Sequence, residues 1–96
     1  MLKHVVLFKF KPEAQTGRIE DLAVGLGALP DSIPEIREFV FGHDVLHTER
    51  SYDFALVSLF DDQAALQRYQ VHPDHQAVVA IVKEICSSVV AADFTC

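Results

Sequence analysis

The sequence predicts an α+β domain, with a four-stranded antiparallel sheet that carries two helices on one face. Three observations support this fold class. Four segments have the apolar pattern of strands, and apolar residues recur at helical spacing between them. Two of the strands are apolar on both faces, so each of these faces should be covered by another layer. The 96 residues are enough for one domain with a single core.

The first predicted strand covers residues 2–11, and its middle is apolar on both faces. A strand that faced water on one side would place polar residues there, so a second covering layer is expected. One face carries His4, Val6, Phe8 and Phe10, and the other carries Val5 and Leu7.

The first predicted helix covers residues 16–33, where apolar residues recur at i, i+3, i+4 and i+7. Gly25 and Gly27 each weaken a helix by up to about 1 kcal/mol relative to alanine, which indicates a close neighbour or a groove at that height. Pro30 and Pro34 are expected to end the helix.

Two further strands are predicted at residues 36–46 and 52–60, joined by a polar turn at residues 47–51. Gly42, inside the first of them, suggests a β-bulge or a close backbone approach. One face of the second strand carries Phe54, Leu56, Ser58 and Phe60.

The rest of the chain predicts helical segments followed by a short strand. Asp61 or Asp62 is suited to cap a helix that extends through Tyr69, a second helical run follows Pro73, and residues 89–95 form the last strand. The element order is therefore βαββαβ, the ferredoxin-like pattern. The apolar face of the second helical run contains Val78, Val79, Val82, Ile85 and Cys86.

Helices can cover only one face of such a sheet. Apolar residues on the opposite face would contact water in a monomer, which predicts a homodimer that pairs sheet against sheet. The residues expected in this interface are Val5, Leu7, Val57 and Leu59.

Composition excludes several classes of partner. The net charge of −6 would repel a phosphate backbone, so no nucleic acid is expected. No apolar run is long enough to span a bilayer, so we expect no membrane partner and a cytoplasmic location. Cys86 and Cys96 have neither metal-site nor disulfide-framework spacing, and we expect no metal and no cofactor.

The stretch Tyr69–His75 (YQVHPDH) contains the chemically most informative residues. Pro73 should begin a helix and keep His72 outside it. His75 would then be the third helical residue, where the helix dipole favours a neutral imidazole that can act as a base. The neighbouring carboxylate of Asp74 would have the opposite effect and favour the charged imidazolium of His75.

These residues suggest a site in an apolar pocket between helices and sheet. His75 would be the base, the Tyr69 hydroxyl would stabilise an oxyanion, His4 would assist, and Asp93 would orient an imidazole. Alternatively, each has a structural role, such as capping and packing for His75 or a core-edge position for Tyr69. The residues expected to contact a ligand are Val6, Phe8, Phe54, Leu56, His72, Val79 and Asp93.

A second histidine-containing segment lies at residues 43–49. His43 and His47, with Asp44 and Glu49, could be considered metal ligands. Adjacent strand residues point to opposite faces, however, so a solvated loop is the preferred interpretation.

Several motifs occur together in this chain. They are Lys3–Lys11 (KHVVLFKFK), Ile33-Pro34, Gly42, Tyr69 with His72–His75 (HPDH), and Asp93-Phe94. With these motifs the sequence resembles the stress-responsive A/B barrel (Dabb) family over nearly its whole length, as a single domain at residues 1–96. The resemblance implies a ferredoxin-like monomer and a homodimer whose two sheets close into an α+β barrel.

The resemblance also suggests one activity. A plant member of the family is a polyketide cyclase that performs an intramolecular aldol condensation without metal or cofactor. Its essential imidazole and tyrosine correspond to His75 and Tyr69, and a histidine in its first strand corresponds to His4. Where it has a further pocket histidine, this chain has Phe54.

Three functional hypotheses follow. The first is a homodimer that binds a small apolar or aromatic molecule between helices and sheet. The second is a cofactor-independent, cyclase-like enzyme that uses His75 as base. The third is a structural stress protein without a ligand, for which a filled core is expected instead of an open cleft.

Overall fold

The computed structural model describes all 96 residues, Met1–Cys96. Four strands form one antiparallel sheet in the order β2-β3-β1-β4. The predicted ferredoxin-like α+β fold is confirmed, with three helices because the second helical region is divided at His72. The elements are β1 (Leu2–Phe10), α1 (Thr16–Ser32), β2 (Glu38–His43), β3 (Phe54–Phe60), α2 (Gln63–Val71), α3 (Pro73–Ile85) and β4 (Cys86–Thr95).

The boundaries of β2, β3 and β4 differ from the predicted ones. β2 and β3 are shorter than expected because the segment between them leaves the sheet at Asp44 and rejoins it at Phe54, with His47 in the left-handed region at φ 54°. β4 is longer because it begins directly after α3, where Cys86 pairs with Phe10. Cys86 is therefore a strand residue and not part of the helix face on which it was predicted.

Pro30 does not end α1, contrary to the prediction. The helix continues through Ser32 and ends where the Ile33 amide donates to the Leu29 carbonyl at 2.9 Å. A proline removes a single amide donor, and here that loss falls in the final turn, where few helical bonds remain to be disrupted. The helix α1 therefore ends at Ser32, shortly before Pro34.

Gly25 of α1 faces Val78 of α3 at short range. A Cβ atom on Gly25 would lie 3.1 Å from Cγ2 of Val78, which is tighter than ordinary packing. The predicted close neighbour of this glycine is thus confirmed, whereas a Cβ on Gly27 would make only an ordinary contact of 3.8 Å with Phe41.

Gly42 lies in a regular part of the sheet. It pairs with Ala55 in an unbroken β2–β3 register, and a Cβ atom on it would meet nothing within 4 Å. The predicted bulge at Gly42 is wrong; the register shift of this sheet lies between Lys9 and Phe10, in the β1–β4 pairing.

The core lies between the three helices and one face of the sheet. Residues of β1 and β3 that point toward the helices are buried, and the leucines of α1 pack onto them. The opposite face is uncovered in the single chain, with Leu7 37% exposed and Phe94 50% exposed. The buried residues of the two central strands and α1 are His4, Val6, Phe8, Phe54, Leu56, Ser58, Phe60, Leu22, Leu26 and Leu29.

None of the helices has the length and apolar character required to cross a bilayer.

Candidate functional site

The site is organised by the break between α2 and α3. His72 has extended backbone angles (φ −63°, ψ 135°), so it ends α2 and caps α3, and Pro73 takes the first helical position. The prediction that His72 lies outside the helix is confirmed. Pro73 lacks an amide hydrogen and disfavours helical angles at the preceding residue, which accounts for the position of the break. At the other end of α2, the prediction of an aspartate cap is also confirmed, because Asp62 accepts a bond from the Ala65 amide.

The break redistributes hydrogen bonds around Gln70. In a continuous helix, the Asp74 amide would donate to the Gln70 carbonyl, four residues earlier. Here that amide donates to Nδ1 of His72 at 3.1 Å. The Gln70 carbonyl is left to accept from Nδ1–H of His75 at 3.0 Å and from Nε2 of Gln76 at 2.6 Å. His72 therefore acts as a helix cap, and the freed carbonyl orients His75.

His75 is held as a neutral ring with a defined tautomer. Because Nδ1–H donates to Gln70, the neutral ring carries its lone pair on Nε2. The pKa of His75 lies below its usual value, mainly because the half-buried ring is desolvated; repulsion by His4 and His72 adds to the shift, and the bond to Gln70 opposes it. The largest cause is thus burial, whereas the sequence argument relied on the helix dipole.

Tyr69 lies directly against His75. The two ring centroids are 4.3 Å apart, and the tyrosine is only 1% exposed. Burial raises the pKa of its phenol well above the usual range, so the hydroxyl remains a proton donor. This hydroxyl has no hydrogen-bond partner within the chain. Every fully buried polar side-chain atom of the protein has such a partner, so the Tyr69 oxygen is not fully buried and must be accessible from the space beside the ring.

His4 is positioned by the sheet register. It pairs with Asp93 of β4 and with Ser58 of β3. Nδ1–H of the buried His4 ring donates to the Asp93 carboxylate, and the Ser58 hydroxyl donates to the His4 carbonyl at 3.2 Å. Asp93 thus fixes the orientation of one imidazole, and the other nitrogen of that ring is left free.

The side chains of His4, Tyr69 and His75 meet at a cavity between α3 and the sheet. The cavity has a volume of about 350 Å³, and 10 of its 13 lining residues are hydrophobic. A cleft of about 410 Å³ near Asp61 and Asp62 is more polar and contains none of the imidazoles. Of the residues predicted from the sequence, the apolar cavity brings together His4, Tyr69, His75, Val6, Phe8, Leu56 and Val79.

Three of the predicted ligand-contacting residues lie outside this cavity. Phe54 is 2% exposed and belongs to an aromatic cluster, with its ring centroid 5.8 Å from that of Phe8 and 5.9 Å from that of Phe41. His72 is occupied as the cap of α3. Asp93 binds His4 and lines the polar cleft instead.

The sequence argument missed part of the cavity wall. Val89 and Ala91 alternate with Asp93 along β4, so the choice of Asp93 already implied that they share its face. Lys83 lies four residues after Val79, which places both on one face of α3. The lining residues not anticipated are Leu26, Val78, Val82, Lys83, Val89 and Ala91.

No three His, Cys, Asp or Glu side chains are grouped so that they could hold a metal ion. His43 and His47 lie apart from the cavity. The ring of His43 packs edge-on against Phe54 at a centroid distance of 4.9 Å, and His47 is exposed in the β2–β3 connection.

Comparison with solved structures shows the same architecture elsewhere. A dimeric ferredoxin-like protein of unknown function from Thermobifida fusca superimposes with a TM-score of 0.90 at 33% identity, covering 99% of this chain and 90% of that one.

Sequence relatives extend over the whole chain. An uncharacterised protein of Streptomyces coelicolor is 36% identical over 95 residues, covering 95% of this chain and 96% of its own length. Olivetolic acid cyclase of Cannabis sativa is 24% identical over 96 residues, covering 98% of this chain and 95% of the cyclase. Residues 2–96 match the stress responsive A/B barrel domain, and the chain therefore belongs to that family.

Proposed function

We propose that this protein binds a small apolar or aromatic molecule in the cavity between α3 and the sheet. The observation that carries the proposal is an apolar space of about 350 Å³ with three polar side chains at one end. Small-molecule sites typically have volumes of about 300–1,000 Å³ and combine an apolar lining with a few polar groups. Protein interiors are otherwise close-packed, so a purely structural protein would be expected to fill this volume with side chains.

A second candidate function is proton-transfer catalysis, and the tautomer of His75 favours it. The lone pair on Nε2, the lowered pKa and the adjacent Tyr69 hydroxyl together provide a base and a hydrogen-bond donor in one apolar site. The relative that is named olivetolic acid cyclase suggests a polyketide-type substrate for such a reaction.

In this reaction Nε2 of His75 would remove a proton from a carbon next to a carbonyl group. The electron pair would move onto the carbonyl oxygen, which would accept a hydrogen bond from Tyr69. An imidazolium is unfavourable in this half-buried position, so the proton would return readily to the product. His4, whose Nδ1–H donates to Asp93, would present Nε2 as an acceptor for a hydroxyl or enol group of the substrate.

We further propose that the functional unit is a homodimer that buries the open face of the sheet. Val5 and Val57 pair with each other on this face and are both partly exposed, and Val40 is 63% exposed. Such a broad apolar face is unusual for a monomer. The Thermobifida fusca relative is described as dimeric, which supports a second copy of this chain as the occupant. The interface would contain Val5, Leu7, Val57 and Leu59.

Ligand binding is tested with the apolar fluorophore N-phenyl-1-naphthylamine. We expect saturable binding to the wild type and loss of binding in Ala91→Trp, because the new indole would occupy the cavity. Ala80→Trp adds the same ring at an exposed position of α3 outside the cavity and should bind as the wild type does. Absence of binding, or equal binding by all three proteins, would contradict the proposal.

The enzymatic candidate is tested with a panel of linear β-polyketo acids and thioesters. We expect His75→Ala to lower turnover by about 10²–10⁴-fold, and Tyr69→Phe to lower it by about 10²-fold with little change in stability. His47→Asn removes an exposed histidine and should leave turnover unchanged. Turnover that is equal in the wild type and His75→Ala, or absent from both, would eliminate this function.

The protonation state of His75 has a measurable consequence for stability. Its folded-state pKa is lowered, so the unfolded chain binds the proton more tightly. The free energy of unfolding should therefore fall as the pH drops below about 6.5, the unfolded-state pKa of histidine.

Replacement by His75→Gln should remove this part of the pH dependence. Urea titrations of both proteins across this pH range measure the difference, and the NMR titration of His75 should have a midpoint below that of a free histidine. A midpoint at or above the free value would show that the ring is not held neutral.

The dimer is tested by sedimentation at micromolar concentration. We expect a wild-type dimer, and we expect Val57→Asp to yield a folded monomer because a buried, unpaired carboxylate is unfavourable in the interface. Val24→Asp introduces the same charge on the exposed side of α1, where the valine is 73% exposed, and should remain dimeric. A monomeric wild type would rule out the dimer.

A further inference from the structure

Lys83 is the one Lys or Arg side chain among the residues that line the apolar cavity, which also include the imidazoles of His4 and His75. It forms none of the ion pairs in the chain, and no carboxylate lines the cavity. A positive charge therefore lies at the edge of an apolar space in a protein whose net charge is −6.

Lys83 and the two imidazoles mark opposite ends of this space. His75 lies in the first turn of α3 and His4 near the start of β1, and both line the cavity. The other end of α3 adjoins the far end of β1, where the Lys11 amide donates to the Ile85 carbonyl at 2.8 Å. Lys83 follows His75 by eight positions in α3, which corresponds to about 12 Å along the helix axis.

The wall between the two ends is apolar. Val79 and Val82 provide it on the helix, and Phe8, Val89 and Ala91 provide it on the sheet. The aliphatic stem of Lys83 can lie along such a wall while its ammonium group stays in contact with water. Polar groups are thus confined to the two ends of the cavity.

We infer that the ligand is an elongated amphiphile with an anionic group at one end, and that Lys83 binds this group. The inference rests on the proposed binding function of the cavity. A distance of about 12 Å corresponds to an extended chain of about ten atoms, since three backbone bonds span about 3.5 Å. Pairing with Lys83 would place the opposite end of such a molecule beneath His75 and Tyr69.

Lys83 would act mainly on specificity. An ion pair at an exposed position changes affinity by up to about fivefold, whereas burial of the apolar chain provides most of the binding free energy. Replacement of Lys83 should therefore change ligand affinity only modestly, and the change should depend on the charge of the ligand.

The test measures displacement of N-phenyl-1-naphthylamine by decanoate and by decan-1-ol, which have the same chain and differ in charge. We expect Lys83→Gln to weaken decanoate about three- to fivefold and to leave decan-1-ol nearly unchanged. Lys83→Glu should weaken decanoate further, by about tenfold or more. The preference should decline as salt rises from about 0.01 M to about 1 M, because screening shortens the Debye length about tenfold.

Arg50→Gln is the matched control, because it changes the net charge equally at an exposed residue that does not line the cavity. It should leave both affinities unchanged. The role of Lys83 is overturned if Arg50→Gln weakens decanoate as much as Lys83→Gln does, or if Lys83→Gln weakens both ligands or neither. Failure of both ligands to displace the fluorophore from the wild type would contradict the Lys83 inference. Failure of the wild type to bind the fluorophore at all would reject the proposed binding function as well.

Discussion

The arrangement of the site depends on one hydrogen bond that Pro73 makes available. By interrupting the helix, this proline diverts the Asp74 amide to the ring of His72 and leaves the Gln70 carbonyl without its helical donor. Nδ1–H of His75 becomes a donor to that carbonyl, which fixes both the ring orientation and the nitrogen that bears the lone pair. The two histidines on either side of the proline thus have different tasks: one replaces a backbone acceptor and the other faces the cavity.

The sheet supplies the second half of the site through its register. Because β1 lies between β3 and β4, a single residue of β1 contacts partners on both sides, and His4 is held between Ser58 and Asp93. β4 residues on the same face leave room above them, since Val89 and Ala91 remain exposed while their β1 partners Phe8 and Val6 are buried. The cavity therefore lies over the outer part of the sheet, between α3 and β4.

Local sequence patterns were sufficient for much of this structure and insufficient for the rest. The break at His72-Pro73 and the cap at Asp62 depend on neighbouring residues only, so they could be predicted. The burial of Phe54 depends on aromatic rings from β1 and β2. An orienting role for Asp93 could be predicted, but the imidazole that it orients is set by the β1–β4 register, which is not encoded locally. Pro30 was wrongly predicted to end α1, because the energetic cost of a proline depends on how many helical hydrogen bonds follow it.

The contact between Gly25 and Val78 links the size of the cavity to a position that does not line it. Val78 lines the cavity on one side and lies 3.1 Å from where a Cβ on Gly25 would stand on the other. A methyl group at position 25 would press the valine toward this space, so its width depends on a residue of α1. A single substitution in α1 would in this way narrow the cavity and leave His4, Tyr69 and His75 in place.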